Sequence, residues 1–148
     1  MVNSDKVEKI ISENIHAGFF TGGTQENVIK EIENRLGVTL PNSYKWFLLR
    51  HGSGGVFGVD IIGVGKSNQA CVVIETEKKR KLGLNKELVV IEDCDEYIYC
   101  LDTSKLSNGE CPVISWDEYD GYDSIESNNF YEFLLDRLVN SKDAWGDE

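Results

Sequence analysis

The stretch Leu36 to Gly55, LGVTLPNSYKWFLLRHGSGG, decides the fold. Gly37 can take the left-handed conformation that ends one helix, and Pro41, with φ already fixed and no N–H to lose, suits the first turn of the next. The second helix is predicted over Pro41 to His51. Leu40, Tyr44, Phe47, Leu48 and His51 fall at i, i+4, i+7, i+8 and i+11, one helical stripe, and Trp46 and Leu49 widen it. A helix this apolar must be largely covered. Gly52, Gly54 and Gly55 then let the chain turn into a predicted strand, Val56 to Ile62.

Upstream, Ser4 is the expected cap of a first helix with Val7, Ile10, Ile11 and Ile15 on one face, broken by the glycines between Gly18 and Gly23. Thr24 is the expected cap of the next, where Val28, Ile32 and Leu36 make the stripe, Ile29 broadens it, and Glu26/Lys30 and Glu31/Arg35 stand at i,i+4. Downstream, Lys66 to Leu82 admits either a helix, with Ala70, Val73, Ile74 and Glu77 along it, or a buried strand; the helix is the reading adopted. Lys78 to Lys81 reads as its solvated end, where cations suit the negative pole of the helix dipole. From Glu87 the period becomes that of sheet. Leu88 to Ile91, Tyr97 to Leu101 and Val113 to Trp116 follow one another through short turns, as in an antiparallel meander. A last helix begins near Asn129, with Glu132 completing a capping box and Phe130, Phe133, Leu134 and Leu138 buried. Residues 144 to 148 are expected to be loose apart from an anchor at Trp145.

The order of these features, an acidic amphipathic helix ending in Leu-Gly, then Leu-Pro, then Tyr44 with Phe47 and Leu48, then a glycine-rich exit, resembles the SUKH superfamily of bacterial immunity proteins, which includes a fungal cell-wall assembly regulator. The resemblance continues through Tyr99 to Thr103, Cys111-Pro112-Val113 with Trp116, and Phe130 to Leu138. It covers roughly residues 24 to 140. Where the family often has Asn before the exit glycine, this chain has His51. The fold implied is α+β, with N-terminal helices on a mainly antiparallel sheet and a closing C-terminal helix.

At 148 residues the chain is expected to be one domain, 1–148, large enough to bury a core without staples. No apolar run approaches the ~20 residues that span a bilayer. The N-terminus, MVNSDKVEKII, lacks the basic region, apolar core and cleavage site of a signal peptide, so a cytoplasmic protein without membrane contact is expected. Cys71, Cys94, Cys100 and Cys111 match neither a zinc nor a redox C-x-x-C spacing and read as buried free thiols. The net charge of −11 is uneven: residues 1–91 sum to +2 and residues 92–148 to −13. Such a block repels nucleic acid and suits a basic protein partner.

Enzymatic motifs fail one by one. Gly65-Lys66-Ser67 resembles the end of a phosphate-binding loop, but Asp60 stands where its first glycine is required. Aligning Gly121 with the invariant glycine of a calcium loop puts Trp116 at the first ligand position and Ser127 where a bidentate Glu is needed. His16 and His51 are the only histidines, and no nucleophile elbow exists. His51, on the apolar stripe, reads as a packed imidazole. The chain is therefore expected to be a non-enzymatic binder needing no metal or cofactor. What remains is acid interleaved with aromatics: Glu92, Asp93, Asp95 and Glu96 in one turn, and Asp117, Glu118, Asp120 and Asp123 around Trp116, Tyr119 and Tyr122. Composition alone leaves two readings of these residues, a solvating acidic surface or a docking site in which rings supply buried area and carboxylates steer; the resemblance implies the second, with these as the partner-binding residues. The resemblance implies the partner: the toxic domain of a cognate secreted toxin, many of which are nucleases with basic active sites. The alternative it implies is a regulatory scaffold or a small-ligand binding module.

Overall fold

The computed structural model describes residues 2–146, without the side chains of residues 2, 3, 145 and 146. Among the described residues five α-helices and six strands form: α1 (Val2–Glu13), β1 (Gly18–Phe20), α2 (Glu26–Leu36), α3 (Asn42–Arg50), β2 (Gly54–Val56), α4 (Cys71–Arg80), β3 (Leu88–Asp93), β4 (Ile98–Asp102), β5 (Val113–Asp117), β6 (Gly121–Ser127) and α5 (Phe130–Gly146). The architecture is α+β, with helices before an antiparallel sheet and one after it.

The deciding stretch behaves as its residues require. Gly37 closes α2 at φ 70°, its N–H bonding to the Glu33 carbonyl. Pro41, extended at φ −70° and ψ 152°, flanks α3 as its cap residue rather than lying in its first turn. The free end of α3 is held from across the chain: Asn42 N–H donates to the Gly109 carbonyl at 2.7 Å, and the Glu110 carboxylate accepts from the Ser43 N–H at 3.1 Å and from its hydroxyl. Tyr44, Phe47 and Leu48 are buried, and the Tyr44 hydroxyl donates to the Ile62 carbonyl at 2.6 Å. At the exit, Gly52 sits at φ +74° with the Gly22 carbonyl 2.1 Å from where a Cβ would stand, so no other residue fits there.

Several expectations need correction. The strand predicted over Val56 to Ile62 stops at Val56, because Phe57 (φ 57°) and Gly58 (φ 84°) turn the chain back until Ile61 bridges to Gly54. Apolar Val56, Phe57, Val59 and Ile61 are all buried, so their pattern reported burial rather than pleat. Ser4 lies inside α1 rather than capping it, and Ile15 is 55% exposed. Thr24 does not cap α2: Gln25 holds that place, and the Thr24 hydroxyl donates to Asn68 Oδ1. Arg35 pairs with Glu77 on α4 rather than with Glu31. The 66–82 segment is helical, as a 3₁₀ turn over Lys66–Asn68 followed by α4, but its buried face is Val72, Val73 and Thr76, with Ile74 outside. Arg80 is not a solvated end: its guanidinium donates to the carbonyls of Leu36 at 2.9 Å and Lys86 at 2.6 Å, tying α4 to α2. Helix α5 runs on through Gly146, and the Trp145 side chain lies outside the described residues.

The main sheet is a four-stranded meander, β3-β4-β5-β6, one strand more than predicted. Its two faces bury separate sets of side chains. Val89, Ile91, Leu101 and Val113 face the helices, where Phe130, Phe133, Leu134 and Leu138 of α5 close the main core; Leu88, Val90, Ile98, Cys100, Ile114 and Trp116 face the other way, beneath Leu84. Asn129 Oδ1 accepts from the Glu132 N–H at 2.9 Å, the expected cap of α5. The edge strand β3 is not bare. Val90 N–H donates to Thr76 Oγ1 at 3.0 Å, and the Ile91 carbonyl accepts from the Ile62 N–H at 2.8 Å.

Candidate functional site

In an antiparallel meander every second turn lies at the same end of the sheet, so the β3–β4 and β5–β6 turns are neighbours although some twenty residues separate them. Both turns are built by their first aspartate. Asp93 Oδ1 accepts from the Asp95 N–H at 2.9 Å, and Asp95 takes φ 69°; Asp117 Oδ1 accepts from the N–H groups of Tyr119 at 2.9 Å and Asp120 at 2.8 Å before Gly121 turns the chain at φ 74°.

Between the two turns lies an open groove of about 560 Å³. Ile98, Trp116 and Leu82 supply its apolar surface, Tyr97 and Tyr119 its aromatic walls, and Asp95, Glu96, Asp117, Glu118 and Asp120 its charge, against which Lys79 is the one cation among the described residues of the lining. Trp116 is 6% exposed and Tyr119 88%, so one ring is a floor and the other a free arm. A second depression of about 400 Å³ shares Glu96, Tyr97, Trp116 and Asp117 with the groove and adds Tyr99, Asp123 and Glu126.

Five of the eight predicted partner-binding residues thus line one groove, and Asp123 lies in the depression beside it. Asp93 is exposed at the root of its turn, 4.0 Å from Lys79 Nζ. Glu92 is different: it is 4% exposed and gripped by Arg137 of α5, which donates from Nε to Oε1 at 2.9 Å and from Nη2 to Oε2. Its carboxylate is internal, so its place in the predicted acidic surface is withdrawn. Paired with Glu92, the Arg137 guanidinium is held well above its ordinary pKa. Sequence reasoning missed Tyr97, Leu82 and Glu126. Tyr97 had a signal, standing two residues before Tyr99; Leu82 and Glu126 had none, because each depends on a fold contact or an unread strand.

The glycine-rich exit is organised around packing. The His51 ring packs tilted against Phe20 at 4.8 Å and Phe47 at 5.6 Å and edge-on to Trp46 at 5.9 Å, and its Nε2 meets Glu8 Oε1 at 2.6 Å. Glu8 also accepts from Arg50 at 3.1 Å. Burial alone would raise the Glu8 pKa, but these two partners outweigh it and hold the carboxyl below its usual range. All four cysteines are free, Cys100 and Cys111 buried and Cys71 and Cys94 half-buried. Burial pushes the Cys111 thiol up to about 12 and the Cys100 thiol higher still. Among the described residues no three His, Cys, Asp or Glu side chains are grouped to hold a metal ion, and no helix is long and apolar enough to cross a membrane.

Comparison with known proteins agrees with this architecture. YnaB of Bacillus subtilis (strain 168), a protein described only as uncharacterized, is 31% identical over 113 residues, 75% of this chain and 73% of its own. A crystal structure of a protein from Pseudomonas syringae pv. tomato superposes with a TM-score of 0.60 at 23% identity, covering 81% of this chain and 90% of that one, a likeness of fold. The family model SUKH_5, described as SMI1-KNR4 cell-wall, matches residues 4–139. Members of that family are typically non-catalytic scaffolds. With nearly the whole chain matched, the protein belongs to the SUKH (SMI1-KNR4) family.

Proposed function

We propose that this chain is an immunity protein that binds the toxic domain of a cognate secreted toxin and occludes its active site through the acidic groove at the turn end of the sheet. One observation carries the reading: two turns far apart in sequence converge on a single groove with five carboxylates, one lysine and a tryptophan floor. A nuclease holds phosphate with cationic side chains, and a groove of this charge and shape fits such a surface, its carboxylates standing where phosphates would and Tyr119 reaching out as an anchor. The superfamily's frequent link to toxin immunity supports the same reading. A nucleic acid is a poor direct ligand for this surface, since like charge repels it.

The description of the family by a cell-wall protein favours a second reading, a regulatory scaffold or small-ligand module without a toxin. The two diverge on one experiment. The chain is expressed beside the C-terminal domain of any large secreted protein encoded next to it, and both complex formation and survival of the host are scored. A complex with restored growth supports immunity; a toxic neighbour that neither binds nor is neutralised removes it.

A further inference from the structure

The two edges of the main sheet are finished differently. On β3 the outward Val90 N–H and Ile91 carbonyl are engaged by Thr76 and Ile62. On β6, among the described residues, no hydrogen bond reaches the main chain from anything but β5 and its own hairpin. Residues 122–126 are all exposed, and Lys105 against Tyr122 is the neighbour that reaches this strand's side chains from outside the β5–β6 hairpin among the described residues. Tyr122 (42% exposed) and Ile125 (54%) are its large apolar side chains. The pairing with β5 slips twice, between Val113/Ile114 and between Ser115/Trp116, and the residues left without a partner are Glu126 and Asp123. Both bulges therefore carry a carboxylate, a device that guards an edge against flat pairing with a like strand.

We propose that β6 is a docking edge for an extended, cationic segment of the partner protein, a strand in which Lys or Arg alternates with apolar residues. This deepens the proposed function and rests on it for the partner. Three observations select that occupant. Two copies of β6 laid edge to edge would bring two carboxylates from each chain onto one seam, which disfavours a second copy of this chain. A basic strand instead meets Asp123 and Glu126 with opposite charge while its main chain satisfies the bare N–H and carbonyl groups. The ring of Tyr122 carries a cation within the fold, Lys105 Nζ at 5.5 Å from its centroid, so it suits a cation, and a partner's lysine or arginine would take the exposed Lys105's place there. The edge is continuous with the acidic groove through Gly121 and the depression that holds Asp123, Glu126, Glu96 and Asp117, so one partner can occupy both.

The test uses two synthetic octapeptides of equal charge: alternating lysine and valine, and the same peptide with its two central valines replaced by proline, which cannot donate or pair. Binding is followed by amide shifts of the full-length chain. The expected result is shifts concentrated in residues 121–127, at least ten-fold weaker binding of the proline peptide, and a similar loss in the D123S/E126S variant. Equal binding of both peptides overturns the proposal, since attraction is then charge alone. Shifts centred on Asp95, Glu96 and Glu118 instead overturn it while leaving the groove reading standing. Concentration-dependent dimerisation through β6, in place of peptide binding, also overturns it.

Discussion

Arg137 on the closing helix and Glu92 on β3 form a two-point ion pair, with Nε 2.9 Å from Oε1 and Nη2 bound to Oε2. The same guanidinium lies 5.8 Å from the centroid of the Tyr99 ring, so it pins α5 to the sheet by the ion pair and by cation–π attraction at once. Removing one member leaves an internal charge without its partner. Arg137→Ala is expected to cost about 3 kcal/mol in urea unfolding. Glu92→Leu with Arg137→Met should recover most of that, because an apolar pair of similar volume avoids the desolvation penalty. A loss below about 1 kcal/mol for Arg137→Ala would show the pair to be solvated. The consequence for function is that Glu92 variants report folding, not binding.

Glu92 also shows where sequence reading stops. In sequence it opens an acidic turn with Asp93, Asp95 and Glu96, and nothing local separates it from them; only α5, some forty residues on, supplies the arginine that draws it inward. Strand β6 was illegible for the opposite reason. Its residues 122–126 are all exposed, so no hydrophobic alternation marks it, and main-chain pairing to β5 makes the strand. Helix α5 and its Asn129 cap were legible because the cap, the stripe and the buried face agree locally. The α3 stripe was legible too, Tyr44, Phe47 and Leu48 all being buried as expected, although Leu49, read as widening the covered surface, is 39% exposed. The groove stood between these cases: its carboxylates were plain in the sequence, while their convergence followed from the parity of meander turns.

The Glu8 carboxylate links α1 to the end of α3 through His51 and Arg50, and its folded pKa is lowered. A carboxyl depressed by folding contributes stability above its unfolded pKa and loses it as pH falls through the folded value. The stability difference between the native chain and Glu8→Gln should therefore be present at pH 6 and shrink toward zero as the solution is taken down through pH 4 to pH 3. Urea melts at those pH values measure it. A difference that stays constant, or grows in acid, would contradict the role of the charge.

Burial sets the chemistry of the thiols. With Cys111 pushed up to about 12, roughly one thiol in ten thousand there is ionised at pH 8. Cys100 is enclosed more completely. A thiolate-selective reagent should therefore reach the full count of four cysteines only in denaturant, with Cys100 and Cys111 silent in the native protein. A chelator should leave the melting temperature unchanged, since these sulfurs pack as small hydrophobes. Fast native labelling of Cys111, or a chelator-induced drop in melting temperature, would refute this.

The groove itself is tested by choosing which carboxylates to change. Asp93 and Asp117 are unsuitable, because each holds its turn through hydrogen bonds from main-chain N–H groups, and reversing either would disturb the hairpin as well as the charge. Asp95, at φ 69°, tolerates Asn better than Lys for the same conformational reason. Glu96, Glu118 and Asp120 are exposed groove residues free of such duties, so Glu96→Lys with Glu118→Lys is the informative pair and Asp120→Asn the mild control. Stability should change by less than about 0.5 kcal/mol in each, as for surface substitutions generally. Against a basic toxin domain, association should be fast at low salt and slow markedly as screening shortens the reach of the field to ~8 Å at physiological ionic strength. The double reversal should lower the association rate about ten-fold or more and abolish most of its salt dependence, with residence time changing less. If the rate is flat from low to high salt and the reversal changes nothing, the carboxylates serve solubility alone, and binding belongs to the glycine-rich exit around Gly52 to Gly55.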